Sequence, residues 1–71
     1  METDALLDGV VTSWDDPRGL GEITAADGRT FALQCTDLAD GSRTIDPGTA
    51  VAFGVRPGHR GRWQAVAVTR R

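Results

Sequence analysis

Apolar and polar residues alternate along most of this chain, with the period of two that marks strands with one buried face. Residues 49–56 show it most cleanly, with Val51, Phe53 and Val55 on one side and Ala50, Ala52 and Gly54 on the other. Residues 29–35 repeat the pattern: Phe31, Leu33 and Cys35 face one way, Ala32 and Gln34 the other. Two earlier stretches, 9–14 and 19–25, carry Val11 and Ile23, and a last one, 63–69, carries β-branched Val66 and Val68 on one side. Polar breaks separate these runs at Asp15-Asp16-Pro17, Asp27-Gly28, the 36–48 loop ending in Asp46-Pro47-Gly48, and the 57–62 loop. Asp27-Gly28 predicts a type I′ hairpin, which needs positive φ at both central residues. Five short strands and no convincing helix define an all-β chain.

A single sheet of this size leaves a face and two edges uncovered unless it curls, so a small closed barrel is expected. Gly19 and Gly21 flank Leu20 just after a turn, where a strand is bent or closely approached. The expected core is Val11, Ile23, Phe31, Leu33, Ile45, Val51, Phe53, Val55 and Val66 or Val68, with Ile45 plugging the barrel from its loop. Residues 1–8 read as a lead-in, 9–69 as the one domain, and 70–71 as a basic, solubilising tail.

The chain has 71 residues, and domains of that size bury only ~60% of their unfolded surface. One cysteine, Cys35, allows neither an intrachain disulfide nor a zinc site built on several thiolates. The acidic start and the lack of a long apolar run predict no secretory signal and no membrane span, so a reducing cytoplasm is the expected location. No nucleophile–base pair, metal-ligand spacing or phosphate loop leading into a helix is visible, so neither an enzyme nor a cofactor is expected. Net charge is −2, yet the charge is unevenly spread: all ten acidic residues precede residue 47, and five of the eight basic ones follow it. Every basic residue is arginine, which grips phosphate with two donors and stacks on bases.

Gly9-Val-Val-Thr-Ser-Trp14, Arg18-Gly-Leu-Gly-Glu-Ile23 and Phe31-Ala-Leu-Gln-Cys35 follow one another in order, and through them the sequence from residue 9 to residue 68 resembles the bacterial cold-shock protein family. Gly9-Val-Val-Thr-Ser-Trp14 is similar to the family's Gly-x-Val-Lys-Trp-Phe, and Arg18-Gly-Leu-Gly-Glu-Ile23 to its Lys-Gly-Phe-Gly-Phe-Ile. Phe31-Ala-Leu-Gln-Cys35 stands where Val-Phe-Val-His-Phe belongs. Gly41-Ser-Arg-Thr-Ile45, Pro47-Gly48, Val51-Ala-Phe-Gly-Val55, and Arg60-Gly61 followed by Gln64-Ala65 complete the order. The resemblance implies a five-stranded antiparallel OB-fold barrel that binds single-stranded RNA or DNA on outward aromatics. Those aromatics should fall at Ser13, Leu20, Glu22, Ala32, Cys35 and Ser42, and a stacking histidine at Gln34; none is present. Base–aromatic stacking contributes ~1–3 kcal/mol per base, so binding is expected to be weak and largely electrostatic.

The residues expected to carry it sit at the rim: Trp14, Arg18, Arg43, His59, Arg60, Arg62 and Trp63. The other reading is a protein-interaction or self-associating module, monomer or weak homodimer, that kept the barrel and lost nucleic acid. Either the Leu20/Ala32 face or the Trp63 loop would be buried against its partner or a second copy.

Overall fold

The computed structural model describes residues 6–58 and 62–71. Among these residues five strands are present: β1 (Leu7–Asp15), β2 (Leu20–Ala25), β3 (Thr30–Gln34), β4 (Ala50–Pro57) and β5 (Trp63–Arg70). One 3-10 turn, Cys35–Asp37, follows β3. The strands close into a barrel in the order β1-β2-β3-β5-β4. Neighbouring pairs are antiparallel except the seam, where β3 and β5 meet in parallel at Ala32 and Gln64. A second parallel bridge joins Leu38 to Val68 and carries the seam past the end of β3.

The expected inward residues fill the interior. Val11, Ile23, Phe31, Leu33, Ile45, Val51 and Phe53 are all buried, and the Phe31 and Phe53 rings meet edge to face with centroids 5.4 Å apart. Edge-to-face pairs add ~0.5–1.5 kcal/mol beyond the area they bury. Ala25, Leu38 and Ala65 join this core. Gly9 lies between β2 and β4, where a Cβ would come within 2.7 Å of the Thr24 carbonyl oxygen and 2.8 Å of Ile23 Cγ2. Only glycine leaves room for the barrel to close there.

Two bulges decide what period-two reading misplaces. On β5, Val66 lies opposite Gly54 and Thr69 opposite Ala52, so Ala67 and Val68 together face a single residue of β4. Ala67 takes the extra position with φ +51°. The strand therefore changes phase: Ala65 and Val68 both point inward, and Val66 lies outward over Gly54. Val66 and Val68 do not share a face as expected. On β1, Val11 lies opposite Ile23 and Ser13 opposite Glu22, again one residue in excess. That bulge turns Thr12 and Ser13 outward and lets Trp14 return to the inner side, packed on the core.

Other expectations change as well. Val55 lies opposite buried Ala65, but it is near the end of β4 and 37% exposed, so it belongs to the rim rather than the core. The Asp27-Gly28 hairpin is not type I′, because Gly28 alone has positive φ there. The Gly28 N–H bonds the Ala25 carbonyl and the Ala25 N–H bonds that of Arg29, giving a wider turn that ends in a left-handed glycine. Gly19, at φ +66°, closes the 15–19 turn instead of opening β2, and Cys35 starts the 3-10 turn instead of ending β3.

Residues 70–71 are not a loose tail. Arg70 ends β5 opposite Val51, and its guanidinium donates to Asp40, to Ser42 Oγ and to the Thr44 carbonyl, tying the long loop to the barrel. The Arg71 N–H bonds the Ala50 carbonyl and its side chain pairs with Asp8. At the other end, β1 begins at Leu7, which packs on the core, within the stretch read as a lead-in.

Candidate nucleic-acid interface

The outer face of β1, β2 and β3 is assembled by register. Ser13, Glu22, Ala32 and Gln64 form one row across four strands, and Leu20 lies opposite Gln34 in the next. Ser13, Leu20, Glu22 and Ala32 are positions at which stacking aromatics were expected, and Gln34 is that of the histidine. The topology brings them together with Gln64 on one face, and these six positions carry a hydroxyl, two amides, a leucine, an alanine and a carboxylate. None of the six carries a ring to stack a base.

Trp14 is occupied by the barrel. Its indole covers Gly21, whose added Cβ would lie 2.7 Å from Trp14 Cε3. Its Nε1–H donates to Asp16 Oδ1 at 2.7 Å, and the same oxygen accepts from the Thr44 hydroxyl at 2.7 Å. Those donors, Thr44 before Trp14, hold the Asp16 carboxyl below its ordinary pKa of 3.8. One carboxylate thus fixes the indole and ties the 15–19 turn to the loop that contains Arg43. This fits a closing role for Trp14 better than a stacking one.

Trp63 is placed differently. It opens β5 opposite Pro57 and is 51% exposed. With Ala32, Gln34, Gly58, Arg62 and Gln64 it lines a cleft of about 120 Å³ at the β3–β5 seam. A wider cleft of about 400 Å³, lined by Arg56, Pro57, Gly58 and Gln64, adjoins it. Arg62 and Trp63 are therefore together. Arg18 is on the 15–19 turn, near the Leu20–Gln34 row, and Arg43 is on the loop beyond it with φ +68°. His59 and Arg60 lie outside the described residues.

Most of the described arginines are already paired. Arg62 lies 3.4 Å from Glu22 and Arg18 3.7 Å from Asp15, while Arg29, Arg70 and Arg71 pair with Asp27, Asp40 and Asp8. Among the described residues, only Arg43 and Arg56 make no such pair. Surface pairs of this kind add little to stability, about 0–1 kcal/mol. Their larger consequence is that a phosphate must compete for the guanidinium. Gln64 lines both clefts without having been expected there, beside Gln34 in the smaller one and Arg56 in the wider. The parallel seam that gathers them joins strands far apart in sequence, and no local pattern announces it.

The barrel has the fold of a cold-shock domain of the OB type. It superposes on a solved structure of Drosophila Unr, the segment designated CSD456, with a TM-score of 0.78 and 23% identity. The match covers 96% of this chain and 27% of that one, so the chain spans about a quarter of the length of the Unr segment. No family model matches the sequence, and no curated protein matches it.

Proposed function

We propose that this chain is a single-stranded nucleic-acid binder of low affinity, working from the β3–β5 seam rather than from an aromatic platform. The half-exposed indole of Trp63, set on a cleft with Arg62 and Gln34, carries the reading. It supplies one stacking surface and one guanidinium where a full platform would supply several rings. His59 and Arg60 adjoin this pair in sequence, and Arg18 and Arg43 add charge beyond the Leu20–Gln34 row. One stacked base at ~1–3 kcal/mol and a few phosphate contacts correspond to a Kd of roughly 10 μM to 1 mM. The reading makes the protein a binding module and not an enzyme, and a cytoplasmic location goes with it.

Tryptophan fluorescence with short single strands at low salt tests it. Saturable quenching that weakens with salt and disappears in Trp63→Ala, where Trp14 remains as an internal reference, is the expected result. A folded protein whose emission does not respond to near-millimolar strand rules the reading out.

A second reading, a protein-contact module, draws on Leu20 and Trp63, which are 45% and 51% exposed, and on the paired arginines. Light scattering at high concentration tests its self-associating form; a strict monomer removes that form.

A further inference from the structure

We propose that Gln64 is a specificity-determining residue of this interface, selecting bases that offer an exocyclic amino group over bases that present a keto oxygen there. The inference rests on the nucleic-acid reading above. Its starting point is the hydrogen bond from Gln64 Nε2 to Asp37 Oδ2 at 2.6 Å. A carboxylate only accepts, so the Gln64 atom facing it is the amide nitrogen. The carbonyl Oε1 is thereby turned the other way.

Asp37 is well placed to hold that orientation. It ends the 3-10 turn after β3, and the next residue, Leu38, is buried and bridged to Val68 on β5. The space before Oε1 is kept open by Gly58, where an added Cβ would lie 3.4 Å from Gln64 Oε1 and 3.0 Å from the Arg62 carbonyl oxygen. Gly58 and Gln64 line both clefts, and Trp63 lines the smaller. A base resting on Trp63 therefore meets a fixed acceptor with a carboxylate behind it.

Cytosine N4 or adenine N6 satisfies that acceptor. Uracil brings its O4 there instead, and its one ring donor, N3–H, is flanked by keto oxygens on both sides. One hydrogen bond made in one complex and missing in the other gives a preference of about threefold to tenfold. Asp37 acts as a positioning residue, since its part is to orient the amide.

The experiment compares short homopolymers of deoxycytidine and deoxyuridine, titrated against Trp63 fluorescence at neutral pH and low salt. The full chain should bind the cytidine strand about threefold to tenfold more tightly. Gln64→Met keeps the length of the side chain and removes both polar atoms, so it should bring the ratio to about one. Asp37→Asn frees the amide to turn and should lower the ratio. Equal binding in the unsubstituted protein, a uridine preference, or a ratio that survives Gln64→Met overturns the inference and leaves the nucleic-acid reading standing. Absence of quenching by either strand overturns both. The unsubstituted protein decides the matter even where a variant fails to fold.

Discussion

Replacing Glu22 with glutamine should strengthen binding to single strands. Glu22 stands mid-face, opposite Ser13 and Ala32, and its carboxylate lies 3.4 Å from Arg62 Nη2. The two side chains are 45% and 59% exposed, so water screens the pair heavily. Such a pair contributes about 0.2–1 kcal/mol, and a phosphate that takes Arg62 must first give that up. The carboxylate also repels the phosphate. At roughly 7 Å and the dielectric constant of water, that repulsion is about 0.6 kcal/mol. Glutamine removes both terms, so affinity should rise about fourfold to fifteenfold. One more phosphate neutralised should steepen the log–log salt slope by about 0.7. The assay is the same fluorescence titration over a range of salt, with Arg62→Gln and the double variant as controls. In the double variant the gain should vanish. Unchanged or weaker binding in a folded Glu22→Gln protein would refute the reasoning, because it would mean that Arg62 does not meet the strand.

Three further outcomes follow from the barrel itself. Gly9→Ala drives a Cβ to 3.0 Å or less from Thr24, Ile23 and Phe53, and should destabilise by about 1–3 kcal/mol or more in a urea titration; an unchanged midpoint refutes it. Ala67→Gly relieves an L-residue at φ +51°, worth about 1–2 kcal/mol, against about 0.4–1 kcal/mol of added unfolded-state entropy. A rise in Tm of a few degrees is expected, and a fall would show that the bulge is not strained. Asp16, Asp27 and Asp40 are held below 3.8 mainly by Thr44, the Arg29 N–H and the Ser42 N–H respectively. Groups lowered on folding stabilise above 3.8 and lose that contribution as pH falls through their folded values. Thermal melts should therefore show these contributions intact above about pH 4 and lost below it, and a Tm that rises from pH 4 to pH 2 contradicts the assignment.

The strands were legible because burial imposes a period of two, and the residues that fill the barrel kept it. Val51 and Phe53 on β4 and Phe31 and Leu33 on β3 needed no tertiary knowledge. Val66 did, because the bulge at Ala67 has no local signature: alanine is an ordinary strand residue until the closing geometry forces it to positive φ. The hairpin at Asp27-Gly28 was legible in position but not in type, since one glycine serves both a tight turn and a wider one. The candidate site was legible by halves. That Ser13, Leu20, Glu22, Ala32 and Gln34 share a face without rings was implied by the cold-shock resemblance, whereas period two alone puts Ser13 on the side of Val11 and only the β1 bulge turns it outward. That Trp14 is consumed by Gly21 and Asp16 while Trp63 is left open depends on one bulge and one carboxylate.

The uneven charge takes a different meaning once the barrel is closed. Read along the chain, a wholly basic last third suggests a grip on phosphate. In the fold, β5 runs between β3 and β4, and the arginines on it and at its two ends meet acidic residues from earlier parts of the chain: Arg62 with Glu22 on β2, Arg70 with Asp40 on the long loop, Arg71 with Asp8 on β1. Each of these pairs is exposed and contributes little to stability. Their collective effect is on availability, because a guanidinium already facing a carboxylate presents a small net field to an approaching strand. Long-range attraction is then weak for a chain of net charge −2, and what binding there is must come from contact at Trp63 and from whichever arginines a phosphate can win. Salt acts on both sides of that competition: it loosens the internal pairs and screens the phosphate alike. The salt dependence of the unsubstituted protein should therefore be shallower than its count of rim arginines suggests, and removing a competing carboxylate should steepen it more than adding another arginine after Arg71.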